Sequence, residues 1–321
     1  MKQIDERGAS RGILARAACL GGLGLAVIMG AGSGGAAQQT EQCGYLGQAP
    51  PGTAPQVFAP GIVSTDAHEF AVSMTPDGRE FYFTRRETRD GPTRIMFTRC
   101  VDGVWTHPEA APFNEDSEAR PYSMSFEPRV TPDGSRLYFS SDRPLPDQSD
   151  PEAGPMFNIW YVDREADHWS APRAAEAPFN PMKSMFISMS TDGTIYTTDI
   201  SDGLGRERLA VAIPSRGRYR RLERLEAWWS TEGGDIYPHI APDESYLIWK
   251  RRVATGPTLF ISFRDSGGSW SEPRPLHLGL PRAGTPFVSW DGRYLFFTAG
   301  GRSEGDIYWV DASRFLPPDG R

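Results

Sequence analysis

The chain has 321 residues, a formal net charge of -7 at pH 7 and 39% hydrophobic residues. This length allows one large domain or two ordinary ones. The excess of acidic residues argues against a nucleic-acid partner, because phosphate binding requires a basic face.

The first 37 residues have the pattern of an export signal. Basic residues occur up to Arg16, an apolar, glycine-rich run follows, and small residues precede Gln38. We predict a signal peptide over 1–37, cleaved after Ala37, with an uncleaved anchor as the alternative. Cys19 precedes the apolar run, which argues against a lipoprotein. The mature protein is expected in the periplasm or outside the cell, without a membrane span.

Cleavage would leave two cysteines, Cys43 and Cys100. An even number in an oxidising compartment favours a disulfide, and two unpaired thiols are the alternative. The bridge would join the segment 38–52, which we predict to be flexible, to the third strand of the first repeat.

Five copies of a strand–turn–strand pattern occupy most of the remaining chain. Each has an Asp turn between an apolar strand and an aromatic-rich strand, and these residues are Asp77, Asp133, Asp192, Asp243 and Asp291. The turns are 56, 59, 51 and 48 residues apart. A strand repeat of this period is typical of propellers, because one unit cannot bury its own faces alone. Asp suits a tight turn, so we assign these residues a structural role.

Each repeat can be divided into four strands. The inner strand ends three residues before the Asp, the second follows the turn, and the third is rich in β-forming residues. The fourth is predicted to carry an aromatic residue, Ser or Thr, any residue and Pro, as at 105–108, 169–172 and 270–273. Tyr219 replaces the Trp in the third repeat.

The last repeat lacks this fourth strand after its third one. Residues 53–56 match 170–173 of the second repeat and precede the first inner strand. We therefore predict an all-β, five-bladed β-propeller over 53–316, in which an N-terminal strand completes the last blade beside 307–310. Such closure removes exposed sheet edges. Residues 317–321 would form a C-terminal tail.

The segments 75–84 and 131–140 share a Thr-Pro-Asp-Gly turn followed by an aromatic strand. This pattern resembles the PD40, or WD40-like, β-propeller repeat of exported bacterial proteins and of the TolB family, and degenerate copies cover 53–315. The resemblance implies a periplasmic propeller that binds protein or glycan. The separate N-terminal domain expected of TolB and a peptidase domain after the propeller are not recognised, so neither activity is transferred.

Two residues near the channel are candidates for ligand binding. When the five inner strands are aligned on their turn Asp, the position four residues before the Asp is occupied by Ser73, Arg129, Ser188, His239 and Phe287. Arg129 and His239 would lie at one height and could face a carboxylate or a sugar hydroxyl. The alternative is that they bond inward carbonyls and waters.

Three acids near the starts of inner strands suggest a second possibility. Glu69, Glu127 and Asp235 could supply the acid and the base or nucleophile of a glycosidase. Acids at loop ends are also common on an acidic protein.

The ends of the second strands carry further candidates. Arg85, Arg143 and Lys250 could hold an anionic glycan or carboxylate, and we add Tyr237 on the fourth inner strand. Solvated loop ends and mutual pairing are the alternatives. The insertion 142–155 would be a lid over one mouth or a disordered tip.

No serine-hydrolase elbow, zinc motif or phosphate loop is found in the sequence. We therefore predict no cofactor, no metal and a non-catalytic, monomeric, exported propeller that binds a ligand at the channel mouth. Its partner would be a small molecule, a glycan or an envelope protein. A glycan-active hydrolase or lyase is the alternative.

Overall fold

A computed structural model describes residues 43–114, 124–146, 157–181, 183–203, 205–225, 234–254, 256–301 and 305–317. Over these ranges the regular structure consists of strands and two short 3₁₀ helices, Gly44–Gly47 and Ala312–Arg314. The main sheets number five and are antiparallel, so the predicted all-β, five-bladed propeller is confirmed. The predicted signal peptide, 1–37, lies outside the described residues.

The strands are numbered along the chain. The first strand, β1, spans Gln56–Val57 and belongs to blade 5. Blade 1 contains β2 (His68–Met74), β3 (Glu80–Arg86), β4 (Thr93–Val101), β5 (Val104–Trp105) and β6 (Glu109–Ala110). Blade 2 contains β7 (Ser125–Val130), β8 (Arg136–Ser141), β9 (Asn158–Glu165), β10 (His168–Trp169) and β11 (Arg173–Ala174). Blade 3 contains β12 (Ser184–Met189), β13 (Ile195–Asp199), β14 (Arg208–Ala212), β15 (Pro214–Ser215), β16 (Arg218–Tyr219) and β17 (Glu223–Arg224). Blade 4 contains β18 (Asp235–Ile240), β19 (Tyr246–Val253), β20 (Gly256–Phe263) and β21 (Arg274–Pro275). Blade 5 contains β22 (Gly284–Val288), β23 (Tyr294–Ala299) and β24 (Asp306–Asp311).

The inner strands contact one another in a closed ring around a central channel; they are β2, β7, β12, β18 and β22. The N-terminal strand closes the ring as predicted. Gln56 lies opposite Trp309 of β24, and Val57 lies opposite Tyr308. The N–H of Phe58 then donates to the carbonyl of Ile307 at 2.8 Å. Blade 5 is thus built from both ends of the propeller sequence.

The aromatic–Ser/Thr–x–Pro motif precedes the outer strand and does not form it. Trp105 and Trp169 pair with the end of the third strand of their own blade. The hydroxyl of Ser170 accepts the N–H of Asp163 at 3.0 Å, and Thr106 does the same for Arg99 at 3.2 Å. The two-residue outer strand starts directly after the Pro, because Pro has no N–H to give to a ladder.

The turn aspartates hold their own turns. Asp77 Oδ1 accepts the hydroxyl of Thr75 at 2.6 Å and the N–H of Arg79 at 3.1 Å. In blade 4, Glu244 stands where other repeats have Gly and adopts a φ of 60°. The turn therefore keeps its left-handed residue at a steric cost that Gly would avoid.

The N-terminal segment is anchored where the structure describes it. A disulfide joins Cys43 to Cys100, with Cα atoms 5.9 Å apart. The Tyr45 hydroxyl donates to Asp291 at 2.8 Å, and the Gln48 amide bonds the backbone at Val57 and Ala59. Residues 43–52, which we expected to be flexible, are therefore tied to blades 1 and 5.

Candidate binding site in the central channel

Each inner strand carries a bulge six residues before its turn Asp. The register with the second strand shifts there, and one non-glycine residue has a positive φ. These residues form what we call the bulge ring: Ala71 (53°), Glu127 (59°), Phe186 (63°), Tyr237 (60°) and Thr285 (46°). A bulge inserts one extra residue and redirects the neighbouring side chains. The five equivalent bulges thus shape one level of the channel.

Threonine hydroxyls connect the bulge ring to adjacent blades. Thr84 Oγ1 accepts the N–H of Glu127 at 2.9 Å, and Thr198 Oγ1 accepts the N–H of Tyr237 at 3.3 Å. Between blades 5 and 1, Thr285 Oγ1 accepts the N–H of Ala71 at 3.3 Å. These bonds satisfy N–H groups that the bulges remove from the strand ladder. They also fix one blade against the next.

Our sequence reasoning missed the bulges, although a signal was present. A Pro follows the bulge residue in three blades, at Pro128, Pro238 and Pro286. Within a sheet, Pro occurs mainly at edges and bulges. A Pro in the middle of a predicted inner strand therefore indicates a bulge at that point.

The structure brings Arg129 and His239 together. Each lies two positions after the bulge residue of its own strand, Glu127 or Tyr237. Arg129 Nη1 lies 3.3 Å from His239 Nδ1, and Arg129 Nη2 donates to the carbonyl of Pro286 at 3.3 Å. The guanidinium lies over the ring of Phe287, with 5.2 Å between Cζ and the ring centroid. Side chains from blades 2, 4 and 5 thus meet across the channel.

The backbone determines which nitrogen of His239 carries the hydrogen. The N–H of Val288 points at Nε2 at 3.1 Å, so Nε2 must accept and the hydrogen lies on Nδ1. Ser73 and Ser188 accept the equivalent N–H groups in other blades. Burial, together with the charge of Arg129, holds the pKa of His239 well below its usual value. His239 is therefore neutral at pH 7.

A small cavity lies at the level of the bulge ring. Its volume is about 20 Å³, which suffices for about one water molecule. Glu127, Arg129, Tyr237 and Thr285 are among the residues that line it. A sugar ring cannot enter a space of this size, so a larger ligand would have to stay outside the ring.

Glu127 is the acid that faces this cavity. It is 8% exposed, and among the described residues its Oε2 has no hydrogen-bond partner. Burial raises the pKa of Glu127 well above its usual value, opposed by the charges of Arg129 and Lys250. Burial also lowers the pKa of Arg129 to about 10, opposed by Glu127. Arg129 thus remains charged at pH 7.

The other two predicted acids are held by arginines of their own blades. Glu69 accepts from Arg85 Nε at 2.8 Å and from the hydroxyl of Thr65. Asp235 accepts from Arg251 Nε at 2.8 Å and Nη2 at 2.9 Å. Both carboxylates are buried. Each is therefore occupied by a structural ion pair, and neither contacts Glu127.

The remaining predicted residues divide into two groups. Arg85 also donates to the carbonyls of Ile62 and Val63, and Arg143 donates to the carbonyl of Phe113. Both arginines thus support loops or neighbouring strands. Lys250 lies next to the bulge ring, with Nζ 5.1 Å from the ring centroid of Tyr237. We call the channel end at which the inner strands begin, beside Tyr237 and Lys250, the entry mouth.

A larger cavity, of about 680 Å³, lies at the opposite end, among the Asp turns. Its polar side chains already have partners within the fold. Arg136 pairs with Asp163, Tyr219 donates to the carbonyl of Gly193, and Asp133 and Asp192 bond their own turns. This end offers space but few available polar groups.

Within the described ranges, no cluster of three His, Cys, Asp or Glu side chains could hold a metal ion. The same ranges contain no helix that is long and apolar enough to cross a membrane. Most of the insertion 142–155 lies outside the residues that the structure describes, so its role as a lid stays a prediction.

No protein-family model and no curated protein matches the chain. Solved structures are similar in fold. They include TolB from Acinetobacter baumannii, with 13% identity, a TM-score of 0.47 and coverage of 78% of this chain and 53% of that one. An exo-β-1,3-galactanase from Clostridium thermocellum has 13% identity, a TM-score of 0.48 and coverage of 80% and 62%. A thermostable family-43 glycoside hydrolase has 10% identity, a TM-score of 0.49 and coverage of 78% and 91%. The chain thus spans about half the length of the Acinetobacter protein.

Proposed function

We propose that this chain is an exported, non-catalytic β-propeller that binds an anionic group of a ligand or partner protein at the entry mouth. The carrying observation is the distribution of charge around the channel. Arg129 and Lys250 lie at or near the bulge ring, whereas Glu69 and Asp235 are neutralised by arginines. Among the described residues at this mouth, Arg129 and Lys250 thus supply positive charge, and Glu69 and Asp235 are already engaged by other arginines.

Lys250 and Tyr237 suit the first contact with such a ligand. Lysine provides a point charge with three donors, and the half-buried tyrosine ring provides an apolar surface beside it. The narrow bulge ring would keep the ligand at the mouth, because the cavity behind it measures about 20 Å³. Rigid strands hold the site, which reduces the ordering cost of binding.

Export is supported by two features of the chain. The first 37 residues follow the pattern of a signal peptide. The Cys43–Cys100 disulfide fits an oxidising compartment, since such bonds are rare in the cytosol.

The proposal can be tested by titrating residues 38–321 with sodium glucuronate, trigalacturonate and N-acetylneuraminate, with glucose as the neutral control. We expect trigalacturonate or one of the single acids to bind, and Lys250→Met to weaken binding on the order of tenfold, or about 1.4 kcal/mol. Lys183 is exposed and is the other lysine after the signal region, so Lys183→Met is the matched control. Equal affinity of both variants, or no binding to any acid, would contradict the proposal.

One observation keeps a glycan-cleaving enzyme as the second candidate. A buried carboxyl with a raised pKa, such as Glu127, is the state required of a general acid. The candidate still needs a second carboxylate, and Glu69 and Asp235 are engaged elsewhere. Turnover of a glycan that is lost in Glu127→Gln would support the enzyme. Turnover unchanged by this substitution would exclude Glu127 as its acid.

A further inference from the structure

Two hydrogen-bond donors meet in the channel without an acceptor between them. Nδ1 of His239 carries the hydrogen, because Nε2 accepts from Val288. The guanidinium of Arg129 can only donate, and its Nη1 lies 3.3 Å from that same Nδ1. The two groups therefore cannot bond each other. A single acceptor placed within reach of both would satisfy them.

A cavity beside Arg129 offers a place for this acceptor on the side of the guanidinium. Arg129 and Glu127 line the cavity, whereas His239 contacts Arg129 from outside it. Its volume of about 20 Å³ admits one small particle. Glu127 contributes Oε2, which has no partner among the described residues although the side chain is more than nine-tenths buried. A carboxyl group in its acid form adds a donor to the same space. Buried polar atoms of this kind usually have a partner.

We propose that a monoatomic anion, chloride under natural conditions, occupies this cavity beside Arg129 and Glu127, close to the point where Arg129 meets His239. The anion would balance the charge of Arg129, which has no carboxylate within ion-pair distance among the described residues. The size of the cavity selects a halide over carboxylates and sulfate.

This anion site lies in the same channel as the proposed binding site, but it can be tested with bromide alone, without a carboxylate ligand. Crystals of residues 38–321 grown in sodium bromide should give an anomalous peak within about 3.5 Å of Arg129 Nη1 and His239 Nδ1. A peak of density without anomalous signal would identify water and overturn the proposal. Direct bonding between the Glu127 carboxylate and Arg129 would also overturn it.

Unfolding in solution provides a second readout. In chloride or bromide, compared with sodium gluconate at equal ionic strength, the melting temperature should rise by about 3 °C for each tenfold increase in halide above its Kd. Arg129→Gln should abolish this rise. Glu127→Gln, which keeps a donor, should retain it, and replacement of the exposed Arg206 by Gln is the matched control. A rise that persists in Arg129→Gln would contradict the site.

If carboxylates bind at the mouth while bromide gives no peak, this inference alone fails. If bromide gives the peak while carboxylates do not bind, the proposed function alone fails.

Discussion

At the scale of single residues, charge in this propeller is controlled by pairing and burial. Glu69 and Asp235 each lie opposite an arginine 16 residues later, Arg85 and Arg251. Both carboxylates are buried, so loss of either arginine would leave an uncompensated buried charge. Glu127 has no such arginine and faces the channel. The three acids thus differ in role although all precede a turn Asp by similar distances.

The pH dependence of stability should show the state of Glu127. Its folded pKa is raised, so the folded protein binds more protons than the unfolded one between the ordinary and the folded pKa. The free energy of unfolding therefore falls as pH rises through this window, by up to about 1.4 kcal/mol per pH unit. Glu127→Gln should lack this component and gain stability over wild type as pH increases.

Urea unfolding of both proteins from pH 4.5 to 8.5 would measure the effect. The lowered pKa of His239 makes stability rise with pH, which opposes the effect of Glu127. Because both proteins contain His239, the difference between their free energies of unfolding removes this contribution. A difference that is constant over this range would show that Glu127 has an ordinary pKa.

At the scale of strands, the bulges explain how the inner strands form a channel. Five equivalent bulges would leave N–H groups unpaired, and threonine hydroxyls accept three of them from Glu127, Tyr237 and Ala71. Each such bond joins two blades. The bulge ring is therefore a connection between blades as well as a feature of the channel wall.

Thr84→Val should weaken this connection. The substitution preserves side-chain shape but leaves the buried N–H of Glu127 without its acceptor. We expect a loss of about 1–3 kcal/mol in the free energy of unfolding. The exposed Thr88 in the same blade provides the control. Thr88→Val should change the free energy of unfolding by less than about 0.5 kcal/mol. An equal effect of both variants would show that the Thr84 bond contributes nothing.

At the scale of the whole molecule, closure depends on the N-terminal segment. Strand β1 pairs with β24, and the disulfide joins Cys43, upstream of β1, to blade 1. The segment is thus joined to the last blade by strand pairing and to the first blade by the disulfide.

Removal of the disulfide tests this arrangement. The bond spans 57 residues, for which the chain-entropy relation gives about 4 kcal/mol. Cys43→Ser with Cys100→Ser should lose about 2–4 kcal/mol in guanidinium unfolding, and wild type with reductant should lose a similar amount. Reductant should have no effect on the double variant. Equal stability of oxidised and reduced wild type would contradict this role.

The sequence predicted the propeller well because turns and core strands repeat in every blade. The inner strands end at Met74, Val130, Met189, Ile240 and Val288 as predicted. The site was predicted less well, because the partner of a charged residue depends on register and on neighbouring blades. The alignment of repeats placed Arg129 and His239, which are 110 residues apart, at one height in the channel, but it did not establish that they meet. The donor conflict at His239 could not be predicted either, since it depends on the N–H of Val288.

Lysine protection tests binding at the entry mouth most directly. After the signal region the chain has only two lysines, Lys183 and Lys250. Acetylation without ligand and with trigalacturonate, glucuronate or N-acetylneuraminate in turn, followed by mass spectrometry, compares the two side chains in one sample. We predict that the ligand slows modification of Lys250 on the order of tenfold and leaves Lys183 unchanged, as expected for about 90% occupancy. Modification of Lys250 at the same rate with and without the acid would contradict binding at this mouth.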